Sequence, residues 1–178
     1  FDAASSNLCF VAGTGATIAV TSTAGSAPLG SHQYRINGGP LQAGPVFSSL
    51  APGSYSVEVV DGNNCRDNVN VTINPQLRVN TSIETEIPCG GAPGEIRVQV
   101  LGGYTSGAGP KQYEVSLNAG PFGGATPLTS TNFLYSTNVP GDYVFRVTDN
   151  EGCVADSNPI TLNPPVNIDP AAVDIIPV

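Results

Sequence analysis

"APGSYSVEVVDGNNC" spans residues 51–65, and "VPGDYVFRVTDNEGC" spans residues 139–153. Pro, Gly, Tyr, Val, Asp and Cys fall at the same offsets in both stretches. Tyr55, Val57 and Val59 alternate with other residues, as do Tyr143, Phe145 and Val147. A period of two predicts a strand with one buried face, worth roughly 2 kcal/mol per large side chain. Pro52-Gly53 and Pro140-Gly141 make a corner before each strand. Tyr55 and Tyr143 begin the strands, where a sandwich of immunoglobulin type has a tyrosine whose hydroxyl bonds back to the corner. "DGNN" and "DNEG" read as hairpin turns, because Asp, Asn and Gly tolerate positive φ. Asp61 and Asp149 open these hairpins, and Cys65 and Cys153 start the last strands. As a turn residue, Asp149 should cost far less on replacement by Ala than the core residue Tyr143.

The rest of the chain falls into register around these stretches. "QYRINGGP" (33–40) answers "QYEVSLNAGP" (112–121), which is two residues longer. "VTINP" (71–75) answers "ITLNP" (160–164), and "ATIAV" (16–20) answers "EIRVQV" (95–100). Cys9 and Cys65 answer Cys89 and Cys153. The expected fold is all-β, with two tandem immunoglobulin-like β-sandwich repeats. Residues 1–75 form the first, 76–165 the second, and 166–178 an extended tail. A last strand in each repeat runs to "INP" or "LNP", where Pro ends the ladder.

Composition agrees with strands and turns. The chain has 178 residues with 21 Gly and 16 Pro, and only 11% are charged. Its apolar residues are largely β-branched and alternate, which separates it from a disordered Gly/Pro-rich chain. The net charge is −8, from 6 Lys and Arg against 14 Asp and Glu. Few cations make a poor partner for nucleic acid or an anionic membrane. No apolar run approaches the roughly 20 residues of a membrane-spanning helix, so direct insertion is not expected. "FDAASSNLC" has neither a basic start nor a long apolar core, and reads as a mature chain or a fragment.

Residues 47–65, "FSSLAPGSYSVEVVDGNNC", resemble the SprB-type repeat of Bacteroidetes gliding-motility and cell-surface adhesins. The middle strand "QYRINGG" and a Cys ahead of the first core strand fit the same family. The likeness covers nearly the whole chain. Ile36 and Leu117 stand where many members carry Trp, and the second repeat has an enlarged loop, "GGYTSGAGPK" (102–111), and a longer insertion around 123–134. The resemblance implies a long secreted surface protein of tandem sandwiches at the bacterial cell exterior, and does not imply catalysis.

Catalytic signatures are not found. His32 reads as a surface or strand-edge residue. There is no Gly-x-Ser-x-Gly elbow and no phosphate-binding Gly-rich loop. The four Cys lack the close Cys-x-x-Cys pairing of a zinc site. Asp61 with Asn63, and Asp149 with Glu151, are weak candidates for Ca²⁺, since neither follows a known calcium-loop spacing. No cofactor is expected, and the chain is read as not an enzyme.

Two cysteines per repeat at matching positions point to disulfides formed outside the cytoplasm. The default pairing is within repeats, Cys9–Cys65 and Cys89–Cys153, each worth roughly 4 kcal/mol in the chain-entropy model. Cys89 follows the first strand of its sandwich, which puts it near the end opposite the Cys153 hairpin. Pairing across the junction, Cys9 with Cys153, is therefore the alternative.

The tail, "NPPVNIDPAAVDIIPV" (163–178), aligns with the joining segment "NPQLRVNTSIETEIPC" (74–89). It reads as the first strand of a following repeat, with Val166, Ile168, Val173 and Ile175 or Ile176 as its apolar residues. The segment before Cys9 is short and lacks such alternation, so the first repeat lacks much of its first strand. The chain is then a window of a tandem array or a subunit whose tail completes the next copy. Its expected partners are adjacent repeats or other copies, head to tail. The other reading is a carbohydrate-binding accessory module of a secreted protein, with surface glycans as partners and Tyr104 or Tyr135 as contact residues.

Overall fold

Alternating burial generates the strands. The computed structural model describes residues 7–21, 32–105 and 111–166, and every regular element among them is a β-strand. The chain divides into two compact units. The first takes the described residues up to Leu77 together with two loops from later in the chain, 102–105 and 149–153. The second takes the remaining described residues.

In the first unit, β1 (Ala16–Ala19) pairs antiparallel with β3 (Val46–Leu50). The facing sheet places β4 (Gly53–Val60) between β2 (Gln33–Ile36) and β5 (Arg66–Ile73). Ala16, Ile18 and Phe47 from one sheet meet Tyr34, Val57, Val59, Val71 and Ile73 from the other in a single core. On its other edge β1 is met, among the described residues, by a single bridge between Asn7 and Thr17.

The second unit has the same frame with more strands. β7 (Gly94–Leu101) lies between β6 (Arg78–Thr85) and β10 (Asn132–Thr137). Opposite, β11 (Gly141–Thr148) pairs with β8 (Gln112–Leu117), and β9 (Thr126–Pro127) extends that edge. β12 (Val154–Asp156) and β13 (Ile160–Leu162) share the far edge of β11. This strand order, one sheet from the first, second and fifth strands and a facing sheet from the rest, is the immunoglobulin-like sandwich. Aromatic rings join its sheets: Tyr135 of β10 lies 5.8 Å from Tyr143 and 5.3 Å from Phe145 of β11, and Phe133 lies 4.7 Å from Tyr113 of β8. The first core is mostly aliphatic, whereas the second is built around rings.

Both units carry the tyrosine corner. The Tyr55 hydroxyl donates to the Ala51 carbonyl at 2.7 Å, and the Tyr143 hydroxyl donates to that of Val139 at 2.6 Å. Gly141, at φ 147°, admits no side chain, because a Cβ there would lie 2.6 Å from Asn118 Oδ1. Asn37 and Asn118, both left-handed, end the middle strands and clamp the long strands. Asn37 Oδ1 accepts Ser56 N–H at 2.9 Å, and Asn118 Oδ1 accepts Asp142 N–H at 2.9 Å. The clamp grips its strand nearer the corner in the second unit, as the longer "QYEVSL" requires.

Two expectations are revised, and one insertion is given a structure. His32 directly precedes the edge strand β2 and is buried, 6% exposed, which fits the strand-edge reading and not the surface one. The insertion around 123–134 supplies β9 and opens β10. The last strand of the second repeat is broken, because Pro159 has no N–H to continue the ladder and Ser157 Oγ accepts the Phe145 N–H at 3.0 Å.

Tyr143 is 2% exposed, and its ring and hydroxyl do separate work. Tyr143→Phe should cost about 1 kcal/mol, one hydrogen bond. Tyr143→Ala should cost roughly 3–5 kcal/mol, the loss of a buried ring. Urea unfolding followed by circular dichroism measures both, and equal costs would mean that the ring is not what the core needs.

Candidate functional site

The Asp-x-x-x-Cys hairpin is built identically twice. In the first repeat Asp61 N–H donates to the Cys65 carbonyl at 3.0 Å, and Asn64 N–H donates to the Asp61 carbonyl at 3.0 Å. Asp61 Oδ1 accepts the N–H groups of Asn63 and Cys65, both at 2.8 Å. In the second repeat Asp149 N–H donates to the Cys153 carbonyl at 3.0 Å, and Gly152 N–H to the Asp149 carbonyl at 3.1 Å. Asp149 Oδ1 accepts the N–H groups of Glu151 at 3.0 Å and Cys153 at 2.9 Å. Asn64 (φ 62°) and Gly152 (φ 80°) take the left-handed position before each cysteine.

The two hairpins differ in surroundings. Asp61 is partly exposed, while Asp149 is 1% exposed. Asp149 Oδ2 accepts the Tyr104 N–H at 2.7 Å, so one buried carboxylate serves three backbone donors. Asp149 is therefore more than a turn residue, and this geometry argues for a larger cost on its loss than a turn residue would carry. A buried carboxylate is tolerated only with such a set of donors.

Tyr104 continues this network within the first unit. Its hydroxyl accepts the Asn74 N–H at 3.0 Å and donates to the Thr72 carbonyl at 3.0 Å, with the Leu8 carbonyl at 3.3 Å. Asn74 Nδ2 donates to the Gly103 carbonyl at 2.9 Å. Gly103 is left-handed at φ 62°, and a Cβ there would come within 2.7 Å of both Asp149 Oδ2 and Leu77 Cδ1. Burial raises the Tyr104 phenol above its usual range, opposed by the Asn74 N–H and reinforced by the charges of Glu151 and Asp149.

The hairpin presents Cys153 to Cys9, and the two form a disulfide with Cα atoms 5.3 Å apart. The within-repeat pairing is thus corrected in favour of the cross-junction alternative. Cys65 and Cys89 are exposed free thiols.

The calcium candidates do not converge. Asp61 and Asp149 spend their Oδ1 atoms on turn N–H groups, and Asn63 and Glu151 contribute backbone N–H groups to those turns. No group of three or more His, Cys, Asp or Glu able to hold a metal occurs among the described residues. Tyr104 and Tyr135, the glycan-contact candidates, are partly buried: the Tyr104 hydroxyl is taken up by Asn74, Thr72 and Leu8, and the Tyr135 ring packs on Tyr143 and Phe145. Surface depressions are shallow, one of about 260 Å³ beside Glu58, Arg66, Asp67 and Asn68, another of about 210 Å³ between Phe10, Gly15 and Ser49. Of the assembly residues, Val166 is 79% exposed, and Ile168, Val173, Ile175 and Ile176 lie outside the described residues. The groups gathered around Asp149 fasten loops and carry no nucleophile–base pair.

Sequence reasoning singled out Tyr104 only as a glycan contact, and missed its anchoring role and the burial of Asp149. The available signal was Gly102-Gly103 ahead of Tyr104 in the enlarged loop, a pair suited to left-handed backbone.

No protein-family model matches the chain, and no curated protein matches it. Among solved structures, the N-terminal four Ig domains of Dscam1 isoform 9.44 are similar at 13% identity and TM-score 0.38, over 68% of this chain and 30% of that one. A structure titled as the basis for Dscam isoform specificity is similar at 14% identity and TM-score 0.38, over 76% of this chain and 38% of that one. The chain spans well under half the length of either. The immunoglobulin-like class rests on the strand order itself.

Asp149→Ala should destabilise the protein by roughly 3 kcal/mol, because it strands buried N–H groups. Asp61→Ala, at an exposed turn, should cost less than about 1 kcal/mol. Chemical denaturation of the two variants compares them directly, and equal costs would contradict the assignment. A second expectation follows from Tyr104. Its folded pKa is raised, so its contribution is whole below the unfolded tyrosine value of about 10 and declines as pH rises through the folded value. Stability measured from pH 8 to 12 should fall less steeply in Tyr104→Phe than in the wild type.

Proposed function

We propose that this chain is a structural and adhesive repeat segment of an extracellular bacterial surface protein or filament, assembled head to tail into an extended fibre. The observation that carries this reading is a pair of equivalent residues. Leu77 follows "INPQ", is 6% exposed, and sits under the Gly103 loop of its unit. Val166 follows "LNPP" and is 79% exposed. Leu77 is covered and Val166, the last described residue, is exposed, which suits a surface that a following unit covers. β1 belongs to a two-stranded sheet with β3, and a strand joins such a sheet by backbone pairing. The tail residues Val166, Ile168, Val173, Ile175 and Ile176 would supply that strand to the first unit of another copy.

Charge and chemistry support the same reading. Arg35 and Arg66 are paired with Glu58, Arg97 with Glu84 and Arg146 with Asp156, which leaves few cations for phosphate-bearing partners. The Cys9–Cys153 bond belongs to an oxidising compartment, in keeping with a cell-surface location. The likeness of residues 47–65 to SprB-type adhesin repeats points the same way.

Truncation after Pro165 tests the assembly. Core strand β13 ends at Leu162, so the second unit should stay folded. Head-to-tail fibres, seen by electron microscopy and sedimentation, should disappear. Identical fibres from the truncated chain would sink the tail's role.

A further inference from the structure

We propose that the two remaining thiols lock successive copies together, Cys89 of one copy bonded to Cys65 of the next. The proposal rests on the head-to-tail reading above and names its covalent contact. The observed bond sets the rule. Cys9, ahead of the first core strand of one repeat, bonds Cys153, in the last hairpin of the repeat that follows. Cys89 occupies the Cys9 position of the second repeat, and Cys65 occupies the Cys153 position of the first. Applied one repeat further on, the rule joins Cys89 to a Cys65-type hairpin in the unit that comes next.

Geometry supports both partners. The Cys65 hairpin reproduces the Cys153 hairpin bond for bond: carbonyl to Asp N–H at 3.0 Å in each, and cysteine N–H to Asp Oδ1 at 2.8 and 2.9 Å. Cys65 is thus held in the shape that makes a disulfide elsewhere in the same chain, and it is exposed. Cys89 is exposed too, and its thiol donates to the Val166 carbonyl at 3.1 Å. Val166 is the bare equivalent of Leu77, so the free thiol stands beside the surface that the next unit is proposed to cover. Cys9 holds the matching place near the other connector, where Ala12 N–H donates to Gln76 Oε1 at 3.3 Å. The occupant is a second copy of this chain, because it brings the free Cys65 hairpin thiol.

The bond forms by thiol–disulfide exchange with a disulfide oxidant, either a small-molecule disulfide or an oxidised dithiol protein. The Cys89 thiolate attacks one sulfur of the oxidant, and the other leaves as a thiolate. The Cys65 thiolate of the next copy then attacks Cys89 Sγ and displaces the second oxidant thiolate. The two cysteines lose two protons and two electrons, and the oxidant disulfide is reduced to two thiols.

The test uses the full chain with oxidised glutathione as oxidant. Non-reducing electrophoresis should show a ladder in steps of 18.1 kDa. Peptide mapping should find Cys65 joined to Cys89. On a denaturing, non-reducing gel Cys65→Ser alone and Cys89→Ser alone should run as uncrosslinked monomers, and their mixture should give at least tenfold more dimer than either. Like-with-like bonds, Cys65–Cys65 or Cys89–Cys89, in comparable yield would overturn the proposal. The double variant, Cys65→Ser with Cys89→Ser, separates the two ideas. If it forms fibres while wild type yields no Cys65–Cys89 peptide, the lock is wrong and head-to-tail assembly stands. If neither protein assembles and both thiols stay free, lock and assembly fall together.

Discussion

The Asp149 carboxylate holds three backbone N–H groups in a place that water does not reach. Two of them close its own hairpin and fix the direction of Cys153. The third belongs to Tyr104, whose phenol anchors the end of β5 through Asn74. One charge therefore ties together two loops that are far apart in sequence and sets the geometry of the disulfide. A charge so placed is stable only while every donor stays aimed at it. Loss of any single partner loosens the others, because the remaining groups cannot turn to solvent.

The same hairpin at Asp61 lacks this burial yet keeps its shape. The Asp-x-x-x-Cys turn is therefore a local device that needs no tertiary support, since side-chain-to-backbone bonds at this spacing form within the hairpin itself. Burial is a separate layer added in the second repeat by the Gly102-Gly103-Tyr104 loop. The tyrosine corners follow the same logic: a hydroxyl reaching back four residues to a carbonyl is set by local chain geometry, and the ring beneath it is then recruited by the core.

This division explains what could be read in advance. Corners, hairpins and alternating strands come from neighbours in sequence, so Tyr55, Tyr143, Asp61 and the buried faces of β4, β7 and β11 were legible. The burial of Asp149 arises in part from Tyr104, which sequence spacing does not bring near. Cysteine positions showed the repeat but not the partners, because equal spacing fits bonding within a repeat as well as across the junction. The break between β12 and β13 was not anticipated, although Pro159 was there to signal it, and its repair by Ser157 depended on where the Phe145 N–H ended up.

The cross-junction bond has a mechanical consequence that a within-repeat bond would lack. Cys9 and Cys153 are 144 residues apart in sequence. A pull on the chain ends passes through the sulfurs, and everything between them, from β1 through β11, is taken out of the covalent load path. Those residues would otherwise release chain at up to about 3.5 Å each on unfolding. Closing so long a loop also restricts the unfolded state, by about 5 kcal/mol in the chain-entropy model. Two within-repeat bonds would protect each sandwich separately and leave the connector at Asn74–Gln76 to carry the force. The bond as found encloses the connector as well. The connector is also held from within its own unit, since the Gly103 N–H donates to the Pro75 carbonyl at 2.8 Å and Asn74 Nδ2 donates to the Gly103 carbonyl at 2.9 Å.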